Sequence, residues 1–219
     1  MRNEVSLNSQ ALLERSRARS RPLAASQRRY LRMKRCFDVA IASIMFLICL
    51  PVLALAMICI YIDSPGPVFY KQERVGYKGK LFKVVKLRSM RLDAEKDGPQ
   101  WAQKHDPRVT RVGAFLRSTR IDELPQLLNV IRGEMSLIGP RPERPMFVEQ
   151  FNREIPGFHN RLLMKPGLTG WAQVNGGYDI SPEEKLELDL YYIRNASLWL
   201  DLRILARTVK VVLTGEGAR

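Results

Sequence analysis

Between Val39 and Ile62 the chain reads VAIASIMFLICLPVLALAMICIYI, 24 residues without a charge, with Asp38 and Asp63 closing the run. As one α-helix it would be about 36 Å long, enough to cross a hydrocarbon core of about 30 Å. A secretory signal is excluded, because the run is too long for one, starts after residue 38 and has no A-x-A cleavage pattern behind it. Two features argue against simple crossing. Both flanks are basic: RSRARSRP and RRYLRMKR precede the run, and residues 64–91 carry Lys71, Arg74, Lys78, Lys80, Lys83, Lys86, Arg88 and Arg91 against Glu73 alone. Lys and Arg close to a membrane segment stay on the cytoplasmic side, so both flanks read as cytoplasmic. Pro51 stands near the middle, where its missing amide and its clash with the preceding turn bend or break a helix. The expectation is a re-entrant helical hairpin over residues 34–62, broken at Pro51, that enters and leaves one leaflet; a single spanning helix is the alternative.

The rest of the chain is ordinary globular protein in composition. With 219 residues, 46% hydrophobic and 26% charged, it is neither a disordered chain, a collagen nor a many-pass transporter. The length suits one domain of about 150 residues with attachments and is too short for a TIM barrel. The net charge is +14, and residues 1–37 hold ten Lys/Arg against two acids. Such a field favours phosphate-bearing partners without choosing among nucleic acid, nucleotide and anionic lipid. Cys36, Cys49 and Cys59 form no pairable framework and read as reduced packing residues, while His105 and His159 lack metal-ligand spacing, so zinc is not expected.

Residues 1–33 read as a basic, mostly disordered tail, and residues 63–219 as the cytoplasmic domain. In that domain VFYKQ and LFKVVKL alternate around Gly76 and Gly79 as a β-hairpin, and residues 92–109 are a turn-rich surface excursion. Ile121, Leu124, Leu127, Leu128 and Ile131 mark one face of a helix that Gly133 would end. Pro125 falls in its first turn, where proline forfeits no helical hydrogen bond. Leu186, Leu190 and Ile193, then Trp199, Leu202, Leu205, Val209 and Val212, predict two C-terminal amphipathic helices, suited either to the membrane interface or to a core. The expected fold is α/β, helix-dominated with a short β-hairpin, and membrane-monotopic.

The chemistry concentrates at Asp122 and Glu123. An Asp-Glu pair at a helix start is commonly no more than a favourable partner of the helix dipole. Here Arg117 and Arg120 precede it, and Arg141 and Arg144 follow in a proline-stiffened Pro-Arg-Pro-Glu-Arg-Pro. Carboxylates and guanidiniums brought together suit a diphosphate bridged to Asp/Glu by Mg²⁺. The dipole would keep Asp122 ionised and able to attack phosphorus. A GxxxxGK[ST] loop, a strand-to-helix GxGxxG and a GxSxG elbow are all missing, which removes support for ATP hydrolysis, hydride transfer and an α/β-hydrolase. The glycines around Trp171 in KPGLTGWAQVNGGY read equally as a nucleotide-facing or interfacial loop and as a plain turn with a packed indole.

The order of KRCFD before an apolar run with a central proline, then SPGPVFYKQERVG, FKVVKLRSM, TRIDELPQLLNVIRGEMSLIGPRP and KPGLTGWAQVNG, resembles the bacterial sugar transferases. These are the monotopic phosphoglycosyl transferases, or polyprenyl-phosphate hexose-1-phosphate transferases; the likeness runs from Lys34 to Val212 and is to their minimal form. It implies a Mg²⁺-dependent enzyme on the cytoplasmic face of the bacterial inner membrane that moves a sugar-1-phosphate from a UDP-sugar to undecaprenyl phosphate and releases UMP, starting glycan assembly. Carried over by motif, Asp122 is the nucleophile and Glu123 its partner, both placed to hold the metal. Lys86, Arg88, Arg117 and Arg141 bind phosphate or substrate, and Pro51 breaks the membrane helix. The family often has Ser-Pro at that break; Leu50-Pro51 here lacks the hydroxyl. The implied partners are the UDP-sugar, the polyprenyl phosphate and membrane lipids, with no nucleic acid and with a homodimer left open. Two other readings stand beside it: a membrane-tethered nucleic-acid-binding module, favoured by the charge, and a non-catalytic scaffold for glycan assembly.

Overall fold

The computed structural model describes residues 25–96, 98, 106–176 and 180–214. The expected basic tail lies outside the described residues as far as Ala24, and from Ala25 the chain is helical. The first helix, α1, spans Ala25–Asp63 and contains Pro51. It begins nine residues before the expected boundary at Lys34, and it is not broken at the proline. The expected pair of helices is thus corrected to one. A proline removes one amide and crowds one carbonyl, at a cost of about 3 kcal/mol, and leaves the other hydrogen bonds of the helix intact. Leu50 offers no hydroxyl with which the freed carbonyl could settle into another conformation.

Both ends of α1 are docked on the same domain. Near its start, Lys34 Nζ lies 3.1 Å from Asp201, Arg35 donates to the carbonyls of Val130 and Ile131, and Asp38 accepts from Ser136 Oγ at 2.7 Å and from the Leu137 amide. Near its end, Leu53, Ala56 and Ile60 pack on Leu87 and Leu116, and Asp63 accepts the amide of Val112 at 3.1 Å. On its outer side Ile44, Leu47, Ile48, Leu55, Ile58 and Ile62 are each more than half exposed. An apolar surface of that extent is made for something other than water.

Past α1 the expected hairpin is present: β1 (Phe69–Val75) and β2 (Leu81–Leu87) are antiparallel, with Tyr70 opposite Lys86. A 3₁₀ turn over Tyr77–Gly79 joins them. Met90 and Val109 form an isolated bridge at the base of the expected surface excursion, of which residue 97 and residues 99–105 lie outside the described residues. Helix α2 (Arg111–Ser118) starts at Thr110, whose hydroxyl accepts the Gly113 amide.

The helix expected from Ile121 is a 3₁₀ turn over Ile121–Gln126 that runs into α3, Leu127–Arg132. Gly133 ends it as expected, at φ +87°, with its amide bonded to the Val130 carbonyl. A short parallel pair, β3 (Ser136–Ile138) with β4 (Gly167–Thr169), was not expected. Three residues carry no legible period, and the pairing depends on close backbone approach: a Cβ on Gly167 would lie 2.1 Å from the Gly139 nitrogen.

Helices α4 (Pro145–Glu154), α5 (Trp171–Asn175), α6 (Pro182–Asn195) and α7 (Leu198–Thr214) complete the fold, with a 3₁₀ turn over Phe158–Leu163. The two expected C-terminal helices are α6 and α7. The first buries Leu186 and Tyr192; the second buries Leu200 and Ile204 and turns Trp199, Leu202 and Val209 outward. The main core joins Ala42 of α1, Phe82 and Val84 of β2, Leu127 and Val130 of α3, and Ile204 of α7. Each such side chain contributes about 1.5–3 kcal/mol by leaving water, so the core ties the membrane helix, the hairpin and the turn bearing the carboxylates into one body.

Candidate active site

The carboxylates are held from both sides. Arg120, in the left-handed region at φ 58°, turns the chain into the 3₁₀ segment, a conformation that costs a non-glycine residue about 1–3 kcal/mol. Ile121 and Leu124 then anchor the segment on the hydrophobic clusters, leaving Asp122 and Glu123 facing a cleft. Buried Asn129 of α3 fixes the register of β2 against this segment. Its Oδ1 accepts the Val85 amide at 3.1 Å and its Nδ2 donates to the Lys83 carbonyl at 2.8 Å, as a third strand would. The side chain of Lys86 is thereby brought to Glu123.

Glu123 is fully engaged: Lys86 Nζ lies 2.7 Å from Oε1, and Arg141 reaches both oxygens, at 2.5 and 3.3 Å. Burial pushes its carboxyl up, but the charges of Arg141 and Lys86 and their hydrogen bonds outweigh this and hold it well below the usual carboxylate range. Asp122 is 7% exposed and, among the described residues, its oxygens take no hydrogen bond or ion pair. Burial raises its carboxyl to about 6, against the pull of Lys86 and with the push of neighbouring Glu123. The expectation that a helix dipole keeps Asp122 ionised is therefore corrected. A six-residue 3₁₀ turn supplies little dipole, and the anion is supported by Lys86, Arg117 and Arg141.

All six predicted polar residues, Lys86, Arg88, Arg117, Asp122, Glu123 and Arg141, line one cleft of about 520 Å³; Pro51 is not part of it. Nine basic side chains line it against four carboxylates, which makes it a site for anions. The sequence reading missed Arg74, Lys185 and the wall of Phe147, Phe151 and Phe158. Arg74 had a signal: Tyr70, Gln72 and Arg74 alternate along β1 and all face the cleft, as period two requires. The phenylalanines had none, since Phe158 comes from a different element than the other two.

The donor set fits Mg²⁺. No group of three or more His, Cys, Asp or Glu converges among the described residues, and Mg²⁺ typically takes one or two carboxylates together with substrate phosphates. Asp122 has its oxygens unengaged, whereas those of Glu123 already hold Lys86 and Arg141.

Fold and site together define an anion-handling carboxylate centre, seated in a basic cleft beside an apolar helix. Residues 29–215 match the family described as bacterial sugar transferase, and the chain belongs to that family. It is 48% identical over 193 residues to the UDP-N-acetylgalactosamine-undecaprenyl-phosphate N-acetylgalactosaminephosphotransferase of Aeromonas hydrophila, covering 87% of this chain and 46% of that protein. It is 44% identical over 192 residues to the UDP-glucose:undecaprenyl-phosphate glucose-1-phosphate transferase of Caulobacter vibrioides, covering 84% of this chain and 71% of the relative. The Escherichia coli protein of the same description is 43% identical over 182 residues, 81% of this chain and 39% of the relative. The chain thus spans less than half the length of two of these three.

Proposed function

We propose that this chain transfers a sugar-1-phosphate from a UDP-sugar to a polyprenyl phosphate, undecaprenyl phosphate in bacteria, and releases UMP. The observation that carries the reading is the contrast inside the dyad: Glu123 is locked to Lys86 and Arg141, while among the described residues the oxygens of Asp122, in the same cleft, are unengaged. Asp122 attacks the sugar-bearing phosphorus; the bond from that phosphorus to the bridging oxygen breaks, and UMP leaves with the electron pair. The lipid phosphate then attacks the same phosphorus, the bond to Asp122 breaks, and the carboxylate is regenerated. Glu123 spaces Lys86 and Arg141, which with Arg117 neutralise the phosphate oxygens. Mg²⁺ would be held by the dyad, by Asp122 first, and supplies charge neutralisation on the diphosphate. Elsewhere in the cleft half-buried Phe147, backed by buried Phe151 and Phe158, offers a face for a base; Gln173, whose amide atoms are buried without a partner among the described residues, offers it hydrogen bonds.

A two-step route suits substrates that do not share a phase, because a covalent phosphosugar lets donor and lipid visit in turn. The docking of both ends of α1 on one domain supports a helix that dips into the cytoplasmic leaflet and stays on that side, continuous through Pro51, because a spanning helix would carry one end to the far side. The family relatives are described with N-acetylgalactosamine and glucose donors, so the donor is placed in the class of UDP-hexoses and UDP-N-acetylhexosamines.

The test is UMP release across a UDP-sugar panel with undecaprenyl phosphate. Asp122→Asn should lower the rate by about three orders of magnitude or more, and digestion of trapped wild-type enzyme should give a peptide containing Asp122 with added phosphosugar mass. Unchanged turnover in Asp122→Asn overturns the role of Asp122. For topology, cysteines placed at Arg29 and Lys78 should both be protected from an impermeant reagent in intact cells, and opposite sidedness overturns the re-entrant reading.

A further inference from the structure

We propose that Arg88 seats the phosphate of the lipid acceptor at the end of the cleft nearest α1. This rests on the transfer reading above and adds which of the two substrates this guanidinium serves. Arg88 is 6% exposed; its Nε and Nη1 are buried with no hydrogen-bond partner among the described residues, and its Nη2 donates to the Ser64 carbonyl. Among the described residues no carboxylate pairs with it. A buried charge with neither counter-ion nor full hydrogen bonding is costly to the fold. Lys86 and Arg141 in the same cleft are compensated by Glu123. An anion brought by a substrate is what would complete Arg88.

Its position identifies which substrate. Ser64 continues the last turn of α1, its amide bonding to the Ile60 carbonyl at 2.9 Å. Gly66 follows at φ +129°, and a Cβ there would stand 2.8 Å from Arg88 Nη1, so glycine is what lets the turn close over the guanidinium. Pro67, Phe69 and Leu92 line the cleft with Arg88, and Phe69 and Leu92 are 46% and 64% exposed. Ile58 and Ile62, also exposed, extend the apolar surface back along α1. A buried cation beside apolar walls that run out to a membrane-type helix matches a phosphomonoester on an isoprenoid chain. A nucleotide could set only its base against such a wall, for which Phe147 already stands in the cleft, and its ribose and phosphates are polar. A guanidinium grips such a phosphate through two parallel N–H donors.

The experiment is a thermal-shift titration of the full chain in detergent with farnesyl phosphate, farnesol, inorganic phosphate and UMP. Farnesyl phosphate should raise Tm well above what equal concentrations of farnesol or inorganic phosphate achieve. Arg88→Gln should weaken farnesyl phosphate binding at least about tenfold, a loss within reach of one charge-assisted contact, while the UMP shift persists. Without ligand its Tm should equal or exceed that of the wild type, because an uncompensated charge has gone. Arg88→Lys should recover part of the binding. Undiminished farnesyl phosphate binding in Arg88→Gln overturns the assignment, as does selective loss of the UMP shift. Inorganic phosphate or farnesol equalling farnesyl phosphate in the wild type also overturns it. Should Arg88→Gln fail to fold, Arg88→Lys decides: weakened farnesyl phosphate binding with the UMP shift kept supports the assignment, and unchanged affinity overturns it. A wild type that releases UMP while Arg88→Gln keeps its lipid affinity sinks only this assignment, whereas a wild type that binds neither ligand sinks the transfer reading as well.

Discussion

Beside α1, Arg88 is buried with two of its nitrogens unpartnered among the described residues; Glu143, which lines the same cleft, and its neighbours Arg161 and Asp189 are as deeply buried, and their charges are paired. Arg161 Nε and Nη2 reach Asp189 at 3.0 and 2.6 Å, and Glu143 accepts from Lys185 and stands 3.7 Å from Arg74. This second cluster also grips backbone: Arg161 donates to the Arg141 carbonyl at 2.9 Å and Arg74 to the Pro142 carbonyl at 3.1 Å. The difference teaches what each set of charges is for. Compensated charges here hold the proline-rich segment that aims Arg141 at Glu123; the uncompensated one is the charge proposed above to await a ligand. Substitution should therefore change stability at one end and ligand binding at the other.

The largest effect is expected at the Arg161–Asp189 pair. Asp189→Ala leaves a buried guanidinium without its partner and should cost about 3–5 kcal/mol in urea unfolding. Removing both charges together with Arg161→Met and Asp189→Leu should recover most of that loss, though not the hold on the Arg141 carbonyl. A cost below about 1 kcal/mol for Asp189→Ala would erase the distinction between the two ends. Next comes Glu143→Gln, expected to cost about 2 kcal/mol at neutral pH, the scale of a hydrogen bond to a charged group. Burial raises the Glu143 carboxyl, but Lys185, Arg161 and Arg74 together bring it below its ordinary value. A carboxyl depressed by folding contributes stability that is present above its unfolded pKa and is lost as the pH falls through the folded value. The gap between wild type and Glu143→Gln should therefore hold from pH 7 to about 5 and close in more acid solution. Asp189 is raised chiefly by burial and slopes the other way in both proteins, slightly less without the Glu143 charge, so the subtraction removes most of its contribution. A gap that widens on acidification would show the pairing to be misread.

Both ends of the cleft were only partly legible in the sequence. The hairpin and the stop at Gly133 were readable because each is set by neighbours in the chain, by alternation and by a left-handed glycine, whereas the helix expected from Ile121 begins as a 3₁₀ turn. The motif put Arg88 among the cleft residues, where the structure has it; its lack of a counter-ion among the described residues was not legible, because pairing depends on what folds around it. Asn129 in LLNVIR looks like any polar helix residue, yet it substitutes for a strand at β2, 44 residues away. Arg161 and Asp189 lie 28 residues apart in segments with no shared period. Pro51 shows the opposite failure, in which a strong local rule predicted a break and α1 tolerated the loss of one hydrogen bond.

The smallest expected effect sharpens the comparison at its boundary. Arg144 meets Glu95 across the mouth of the cleft, at 2.9 and 3.4 Å, with the Glu95 side chain 39% exposed. Both this pair and Arg161–Asp189 make two direct contacts, here at 2.9 and 3.4 Å and there at 3.0 and 2.6 Å, and the larger difference is solvent. If burial rather than geometry sorts the charges of this cleft, Glu95→Gln should cost less than about 1 kcal/mol and the difference should fade as salt is raised. A loss comparable to that of Asp189→Ala, insensitive to salt, would place the rim pair with the compensated cluster and make geometry the deciding variable. Water competes for both partners at the mouth and for neither at Asp189, so the two substitutions should separate by several kilocalories although both pairs lie within direct hydrogen-bonding distance.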